Sequence, residues 1–517
     1  MQSVHNSALP DWLKRCADNA PGQSAVQCGA VKWSFAELAE QVSHLSRQLA
    51  AAGVGAESRV AQLAPNGLAY VACVHALTRL GAILVPLNTR LTVEELRWQL
   101  CDVRAVLLIS EASMVERADE ISTTLPDLSR AILQTSTPTP ERAEICLLTA
   151  EGRAYPESDV TLNVLIELDA TQAIMYTSGT TGHPKGVLIT YGMQWWNAVG
   201  SALNLGHRSD DCWLACLPLF HIGGLSILMR SVIYGIRIVL LEKFDEREVN
   251  RAIERERVSI ISVVAVMLQR MLSALTSEGE QGRYPTSLRC VLLGGGPAPR
   301  SLLEQCAQLS IPVAQTYGMT ESCSQAVTLA PEDALRKLGS AGRPLLPVQL
   351  KILHEERSVA AGEAGTIYLK GPTLTPGYAD RPGVTAAAIV DGWFCTGDLG
   401  YLDADGYLYV LDRRSDLIIS GGENVYPAEI ESVLLAHPGV AEAGVCGQSD
   451  VRWGQVPVAF VRLHPGVQSD GAAILEHARQ RLASYKVPRV IHLVAELPRN
   501  AGGKVLRREL PKLLEDH

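Results

Sequence analysis

The sequence predicts an α/β protein: a large N-terminal body of parallel sheets covered by helices, followed by a small α+β domain. Three observations carry this. Short apolar runs alternate with helical patterns through most of the chain, the grammar changes to paired strands from about residue 365, and a polar joint at 412–416 precedes the C-terminal tail.

The first helix is expected over 34–52, with Phe35, Leu38, Ala39, Val42, Leu45 and Leu49 on one face, Ser34 as N-cap and Gly53 as C-cap. Strand-like runs follow at 59–64, 82–88, 103–110, 173–178, 237–242, 288–296 and 311–318. Strands alternating with helices imply parallel sheets covered on both faces, with ligands bound at the carboxyl ends of the strands. The longest apolar run, 258–268, is closed by Arg257, Gln269 and Arg270, is too short to span a bilayer, and reads as a buried strand. From Gly365 onward paired strands predict an antiparallel subdomain, with Asp405-Gly406 as a hairpin turn. After the joint come the turn Gly421-Gly422 and a helix over 427–436. The expected division is a body over 1–412, a hinge at 413–416 and a C-terminal domain over 417–517.

Composition narrows the function classes. Of 517 residues, 47% are hydrophobic and only 5% aromatic, which predicts an aliphatic core, and 43 Gly with 27 Pro exclude a fibrous or mostly disordered chain. The net charge of −9, without long single-sign blocks, gives no reason to expect binding to nucleic acid or anionic lipid. A phosphate-bearing ligand then needs a local site. The first 16 residues show no secretory pattern, and the twelve cysteines form no C-x-x-C pair, so they read as mostly buried thiols of a cytoplasmic protein without membrane insertion. The oligomeric state stays open, a homo-oligomer included.

The segment from Tyr176 to Gly186 is the most specific signal. Gly179, Gly182 and Gly186 free the backbone to turn its N–H groups inward, Thr177, Ser178, Thr180 and Thr181 add hydroxyls, and Lys185 adds a mobile cation: a cradle for a polyphosphate. It is not a Walker A loop, because Gly186 stands where Ser or Thr is required.

This segment is similar to the phosphate loop of the adenylate-forming superfamily, which includes acyl- and aryl-CoA synthetases, firefly luciferase and the adenylation domains of peptide synthetases. The other family signatures follow in order over nearly the whole chain. The resemblance implies two doubly wound αβαβα sheets plus a distorted antiparallel β-barrel subdomain, with a small mobile C-terminal domain. Gln315, Thr316, Tyr317, Gly318, Met319, Thr320 and Glu321 resemble the second signature, in which the tyrosine stacks on adenine, the threonine bonds the α-phosphate and the glutamate holds Mg²⁺. Gly294, Gly295, Gly296 and Pro297 resemble the adenine-side loop; Pro299 rules out a Rossmann fingerprint. Asp398 resembles the ribose clamp, with Arg413 as its partner. Lys504, in Asn500-Ala501-Gly502-Gly503-Lys504, resembles the lysine that reaches the α-phosphate and the substrate carboxylate together. Gly421 and Gly422 resemble the turn that the C-terminal domain presents to a pantetheine channel after swinging about the joint, where Ser415 replaces the usual Asp or Lys.

What the resemblance implies chemically is ATP, Mg²⁺ and the co-substrate CoA acting on a small carboxylic acid: an acyl-adenylate forms with loss of pyrophosphate, and a thiol then displaces AMP. The stretches 195–206, 218–235 and Ser322-Cys323-Ser324-Gln325 resemble a branch that takes a short, flat aromatic acid with a second carboxylate. His221, Ser324 and Gln325 are the expected donors to it, His221 reading equally as a gate on the pocket. Three rivals stay open. One is another aryl- or medium-chain acyl-CoA synthetase, and one is a stand-alone adenylation module that loads a carrier protein. The last is a non-catalytic nucleotide binder, which predicts loss of Lys504 or Glu321.

Overall fold

The computed structural model describes residues 8–139, 141–177, 184–277, 283–295, 298, 300–355, 357–412, 417–464, 470–498 and 505–514. Two large sheets form the body. The first runs in the spatial order Lys185–Thr190, Thr171–Thr177, Ile83–Pro86, Arg59–Leu63, Leu107–Glu111, Ser129–Thr139, Arg142–Thr149. The second runs Arg343–Pro344, Ser324–Leu329, Val313–Met319, Cys290–Gly294, Ile260–Val264, Cys212–Ala215, Arg237–Leu240, Ser24–Cys28, Val31–Ser34. Their central strands pair in parallel and antiparallel strands close both edges of each.

The layering follows from where apolar side chains go. Helices Phe35–Ala51, Leu68–Leu80 and Ile222–Tyr234 share one core with residues of both sheets, such as Val60, Leu84, Trp213 and Leu292. Helices Glu246–Arg255, Ala265–Ser277 and Arg300–Gln308 cover the outer face of the second sheet, and Val93–Val103 with Val115–Ser122 cover that of the first. Shared helices between two sheets, with separate helices outside each, make the expected αβαβα stack. A third, antiparallel sheet built on Gln349–His354, Gly365–Lys370, Trp393–Leu402 and Leu408–Asp412 forms the half-barrel subdomain.

Most sequence expectations map closely. The helix expected over 34–52 is Phe35–Ala51, preceded by a helix Trp12–Asn19 that the sequence reading did not anticipate; its start is fixed by a capping box in which the Ser34 hydroxyl accepts from the Glu37 N–H and the Glu37 carboxylate accepts from Ser34 N–H. The run 258–268 is a correction. Only Ile260–Val264 is a strand; Ala265–Ser277 is a helix, because Leu268, Met271 and Leu272 recur at helical spacing and all three bury against the outer core.

The C-terminal region has its own mixed sheet, centred on the antiparallel pair Val440–Asp450 and Gly454–Leu463 with Ile491–Leu493 added in parallel, and helices Pro427–Leu435 and Gly471–Arg479 bury Ile430, Leu434 and Ile474 against it. The expected hinge 413–416, including Arg413 and Ser415, lies outside the described residues. The C-terminal domain docks on the body through charge. Lys486 Nζ lies 2.7 Å from Glu95 Oε1 and 2.7 Å from Glu429 Oε1, with the lysine side chain only 5% exposed. Burial would depress the lysine, but Glu429 and Glu95 outweigh it and raise its pKa, so the pair stays ionised.

Candidate active site

One cavity of ≈ 810 Å³ opens where the strands of the second sheet end. Its wall includes Cys216, Glu242, Val264, Gly294, Gly295 and Met319, each at or just past the carboxyl end of a strand. Pro86 and Thr177 bring in the first sheet, and Gly421, Gly422, Glu423 and Asn424 close it from the C-terminal domain. A crevice at strand ends is where an α/β sheet leaves backbone groups unpaired for a ligand.

Thr177 and Lys185 face each other across the antiparallel hairpin that carries the phosphate-loop signature. Ser178, Gly179, Thr180, Thr181 and Gly182 lie between them, outside the described residues, as do Gly296, Pro297 and Lys504. Thr177 lines the cavity. Lys185 is half-buried, its Nζ 5.4 Å from the centre of the Tyr378 ring, and the Tyr378 hydroxyl donates to Glu321 Oε1 at 3.0 Å. A residue that sequence reasoning missed therefore links the loop lysine to the acidic turn.

Thr320 and Glu321 form the 3₁₀ turn Thr320–Ser322 at the end of strand Val313–Met319, and both line the cavity with Thr316, Gly318 and Met319. Gly318 is obligatory here. The ladder shifts register between Tyr317 and Gly318, and a Cβ on Gly318 would lie 1.6 Å from the Ser324 carbonyl oxygen. The next turn stores strain, with Cys323 at φ 55° and Ser324 at φ 86°, two consecutive left-handed residues beside the acidic turn.

Among the described residues no three His, Cys, Asp or Glu groups gather as a metal cage. A single carboxylate facing a cavity still fits Mg²⁺, which keeps its waters and completes its shell with substrate phosphates. Three carboxylates among the described residues line the cavity, Glu242, Glu321 and Glu423, and Glu321, on the turn beside Thr320, is the candidate for that role.

Several predicted residues stand away from the wall. Tyr317 is 7% exposed, and its hydroxyl donates to Asp398 Oδ2 at 2.6 Å, so the expected adenine and ribose contacts form a buried couple. Gln315 is 7% exposed, and its side-chain Nε2 finds no partner among the described residues. Gln325 departs most from the sequence reading. It was expected on the substrate, but its amide donates to Ser201 Oγ at 3.1 Å and accepts from Thr328 Oγ1 at 3.2 Å, facing the interior on the other side of the strand. Its neighbour Ser324 does line the cavity.

His221 is the N-cap of helix Ile222–Tyr234 and lines the cavity, but its ring is engaged from outside. Its Nε2 lies 3.0 Å from Glu423 Oε2, and Arg90 donates to the other Glu423 oxygen at 2.8 Å. Burial pushes the Glu423 carboxyl up, but His221, Arg90 and Lys486 outweigh it and hold it below the ordinary carboxylate range. Glu423 thus bridges the two domains over the cavity mouth. Beside it Gly421 has φ 59° and Gly422 φ 86°, and a Cβ on Gly421 would sit 2.6 Å from the Trp453 ring, so the turn requires glycine.

Sequence reasoning also missed Arg230, a lone charge in the apolar helix Ile222–Tyr234. It lines the cavity yet is 2% exposed; its Nη2 donates to Asn197 Oδ1 at 2.6 Å and its guanidinium lies 5.2 Å from the Trp213 ring centre.

Residues 13–379 match the AMP-binding enzyme family, and residues 429–504 match the AMP-binding enzyme C-terminal domain. The chain is 54% identical over 508 residues to a 2-succinylbenzoate–CoA ligase of Geobacillus kaustophilus, covering 98% of both. Among solved structures, a double mutant of o-succinylbenzoate CoA synthetase from Bacillus subtilis bound with its product analogue OSB-NCoA matches at TM-score 0.87 and 42% identity, over 98% of this chain and 99% of that one. The Bacillus subtilis synthetase in complex with the acyl-adenylate intermediate OSB-AMP matches at TM-score 0.72, again at 42% identity over 98% of each chain. With both domain matches in chain order and nearly full-length identity, the chain belongs to the AMP-binding enzyme family.

Proposed function

We propose that this chain is an AMP-forming acid–thiol ligase that activates the succinyl carboxylate of 2-succinylbenzoate and passes the acyl group to CoA, a step of menaquinone biosynthesis in the cytoplasm. The observation that carries the reading is a strand-end cavity walled by both the Thr320–Glu321 turn and the Gly421–Gly422 turn, in a chain 54% identical to a ligase of that name.

Two half-reactions divide the work. In the first, a carboxylate oxygen attacks the α-phosphorus of ATP and pyrophosphate leaves. Both reactants are anionic, so cations must offset the repulsion: Lys185 at the phosphate loop and Lys504 between the α-phosphate and the acid. Glu321 would hold Mg²⁺, which when bound would supply neutralisation of the leaving pyrophosphate. By the family resemblance Thr320 would donate to the α-phosphate, the Gly294–Pro297 loop would meet the adenine and Arg413 the ribose, while Tyr317 and Asp398, bonded to each other off the cavity wall, would take up adenine and ribose only once that couple opens.

In the second, the CoA thiol attacks the acyl carbon, and AMP departs with one oxygen of the original carboxylate. That step needs a different face of the C-terminal domain, 417–517, turned toward the body about 413–416. The disposition described above, with Gly421, Gly422 and Glu423 at the mouth, fits the second half-reaction. A TM-score of 0.87 against the structure with the product analogue, and 0.72 against the one with the acyl-adenylate, supports this, since identity and coverage barely differ between the two.

The test is a pyrophosphate-release screen with MgATP and CoA across 2-succinylbenzoate, benzoate, 4-coumarate and octanoate. The expected result is a kcat/KM for 2-succinylbenzoate well above the rest. Preference for octanoate sinks the assigned acid while sparing the ligase class.

A further inference from the structure

Asp102 occupies an unfavourable place for a carboxylate. It lies in the last turn of helix Val93–Val103, where the helix dipole already puts partial negative charge, and its side chain is only 13% exposed. Two partners hold it there. The Tyr176 hydroxyl donates to Asp102 Oδ2 at 2.8 Å, and the Arg381 guanidinium donates to Asp102 Oδ1. Burial, then Asp102 itself, pushes the Tyr176 hydroxyl up, so the proton stays on the tyrosine and the direction of donation is fixed.

Both partners belong to the hairpin that carries the phosphate-loop signature, or to the segment laced onto it. Tyr176 stands opposite Gly186 in the antiparallel ladder, and Thr177 opposite Lys185 is the next pair toward the loop. The Gly186 carbonyl accepts from the Ala379 N–H at 2.8 Å, and Val187 bridges to Tyr378. Ala379 is two residues from Arg381, whose side chain returns to Asp102. The contacts therefore close a ring through Asp102, Tyr176, Gly186, Ala379 and Arg381. One strand of the stem is tied from outside by a side chain and the other by its backbone. Asp102 itself stands off the cavity wall, and neither half-reaction uses it. What the ring holds is the pair nearest the ligand: Thr177 on the wall and the Lys185 ammonium beside the Tyr378 ring. Groups fixed before a ligand arrives bind it with less ordering cost.

We infer that Asp102 is a positioning residue for nucleotide binding: through the Tyr176 hydroxyl and Arg381 it clamps the stem of the phosphate loop and so sets Thr177 and Lys185 against the polyphosphate. The inference deepens the proposed ligase reading and rests on it for the identity of that polyphosphate, MgATP. Asp102 touches no substrate and acts only through the stem.

The experiment reads MgATP affinity by calorimetry on the full-length enzyme, without acid or CoA, and thiol transfer from preformed acyl-adenylate. Asp102→Ala should weaken MgATP binding by about tenfold, as loss of a charge-assisted hydrogen bond does, and leave thiol transfer within about twofold, since that step holds no polyphosphate. Tyr176→Phe keeps the ring and should weaken MgATP binding by about threefold to tenfold. The double variant should match Asp102→Ala within about twofold, because the carboxylate has already lost its grip on the stem once the hydroxyl is gone. Unchanged MgATP affinity in a folded Asp102→Ala overturns the inference. So do losses that multiply in the double variant, or thiol transfer that falls as far as nucleotide binding, the mark of a helix loosened at large. Should Asp102→Ala not fold, Tyr176→Phe decides by the same two measurements, and unchanged MgATP affinity in it overturns the inference. Failure of wild type to release pyrophosphate with 2-succinylbenzoate would instead remove the ligase reading, with the MgATP titrations still deciding the role of Asp102.

Discussion

At the scale of single residues, the acidic turn is held in place rather than merely present. Glu321 accepts from the Tyr378 hydroxyl at 3.0 Å, and the same ring lies under Lys185. Glu321→Gln keeps the size and loses the charge, so it should raise the Mg²⁺ concentration for half-maximal activity by at least tenfold. An unchanged Mg²⁺ titration removes Glu321 from the metal site. Tyr378→Phe keeps the ring and loses the hydroxyl, and should raise the same requirement by only about twofold to tenfold, in keeping with one hydrogen bond. The sequence made Glu321 legible because it sits inside a heptad of specific neighbours. Tyr378 was not legible, since 57 residues separate it from Glu321 and only the loop after strand Gly365–Lys370, bridged to Val187 of the first sheet and bonded from Thr375 N–H to the Glu321 carbonyl, brings them together. Gln325 failed for the opposite reason: adjacency to Ser324 suggested a shared role, and strand alternation sends the two side chains to opposite faces.

At the scale of elements, helix Leu68–Leu80 carries a titration. It is buried on nearly every side, and His75 within it is pushed down to about 4 by that burial, with Asp11 opposing and Arg79 assisting. Between about 4 and the ordinary 6.5, the unfolded chain binds a proton that the folded chain refuses, so stability falls as pH drops through that window. The loss from pH 7 to pH 5 attributable to His75 should be about 2 kcal/mol, read from urea melts, and His75→Gln should flatten that part of the profile. A profile equally steep in the variant contradicts the assignment. Helix and strand existence was legible throughout because periodicity reports burial directly, as the stripe from Phe35 to Leu49 does. The run 258–268 was misread in its second half because an apolar segment buried as strand and then as helix looks continuous until spacing beyond Leu268 is weighed.

At the scale of the whole molecule, the proposed function asks one C-terminal domain to serve two reactions with different surfaces. Contacts across the domains, Lys486 to Glu95 and Glu423 to His221 and Arg90, fix one arrangement. Glu423→Ala should slow thiol transfer from preformed acyl-adenylate by at least tenfold while leaving adenylation within about twofold, since the lost contacts exist only in this arrangement. Lys504→Ala should do the reverse, slowing adenylation by roughly 10²- to 10³-fold with thiol transfer nearly intact. Equal losses in both steps for either variant would contradict the division of labour. The two-domain plan was legible from the polar joint at 412–416; which face the small domain presents was not, because that depends on pairings such as Glu423 with His221, 202 residues apart. The most direct measurement follows one oxygen. With 2-succinylbenzoate labelled with ¹⁸O in its succinyl carboxylate, and with MgATP and CoA supplied, mass spectrometry should find one labelled oxygen in AMP and none in pyrophosphate. Label in orthophosphate together with ADP, or unlabelled AMP, would contradict attack of that carboxylate on the α-phosphorus.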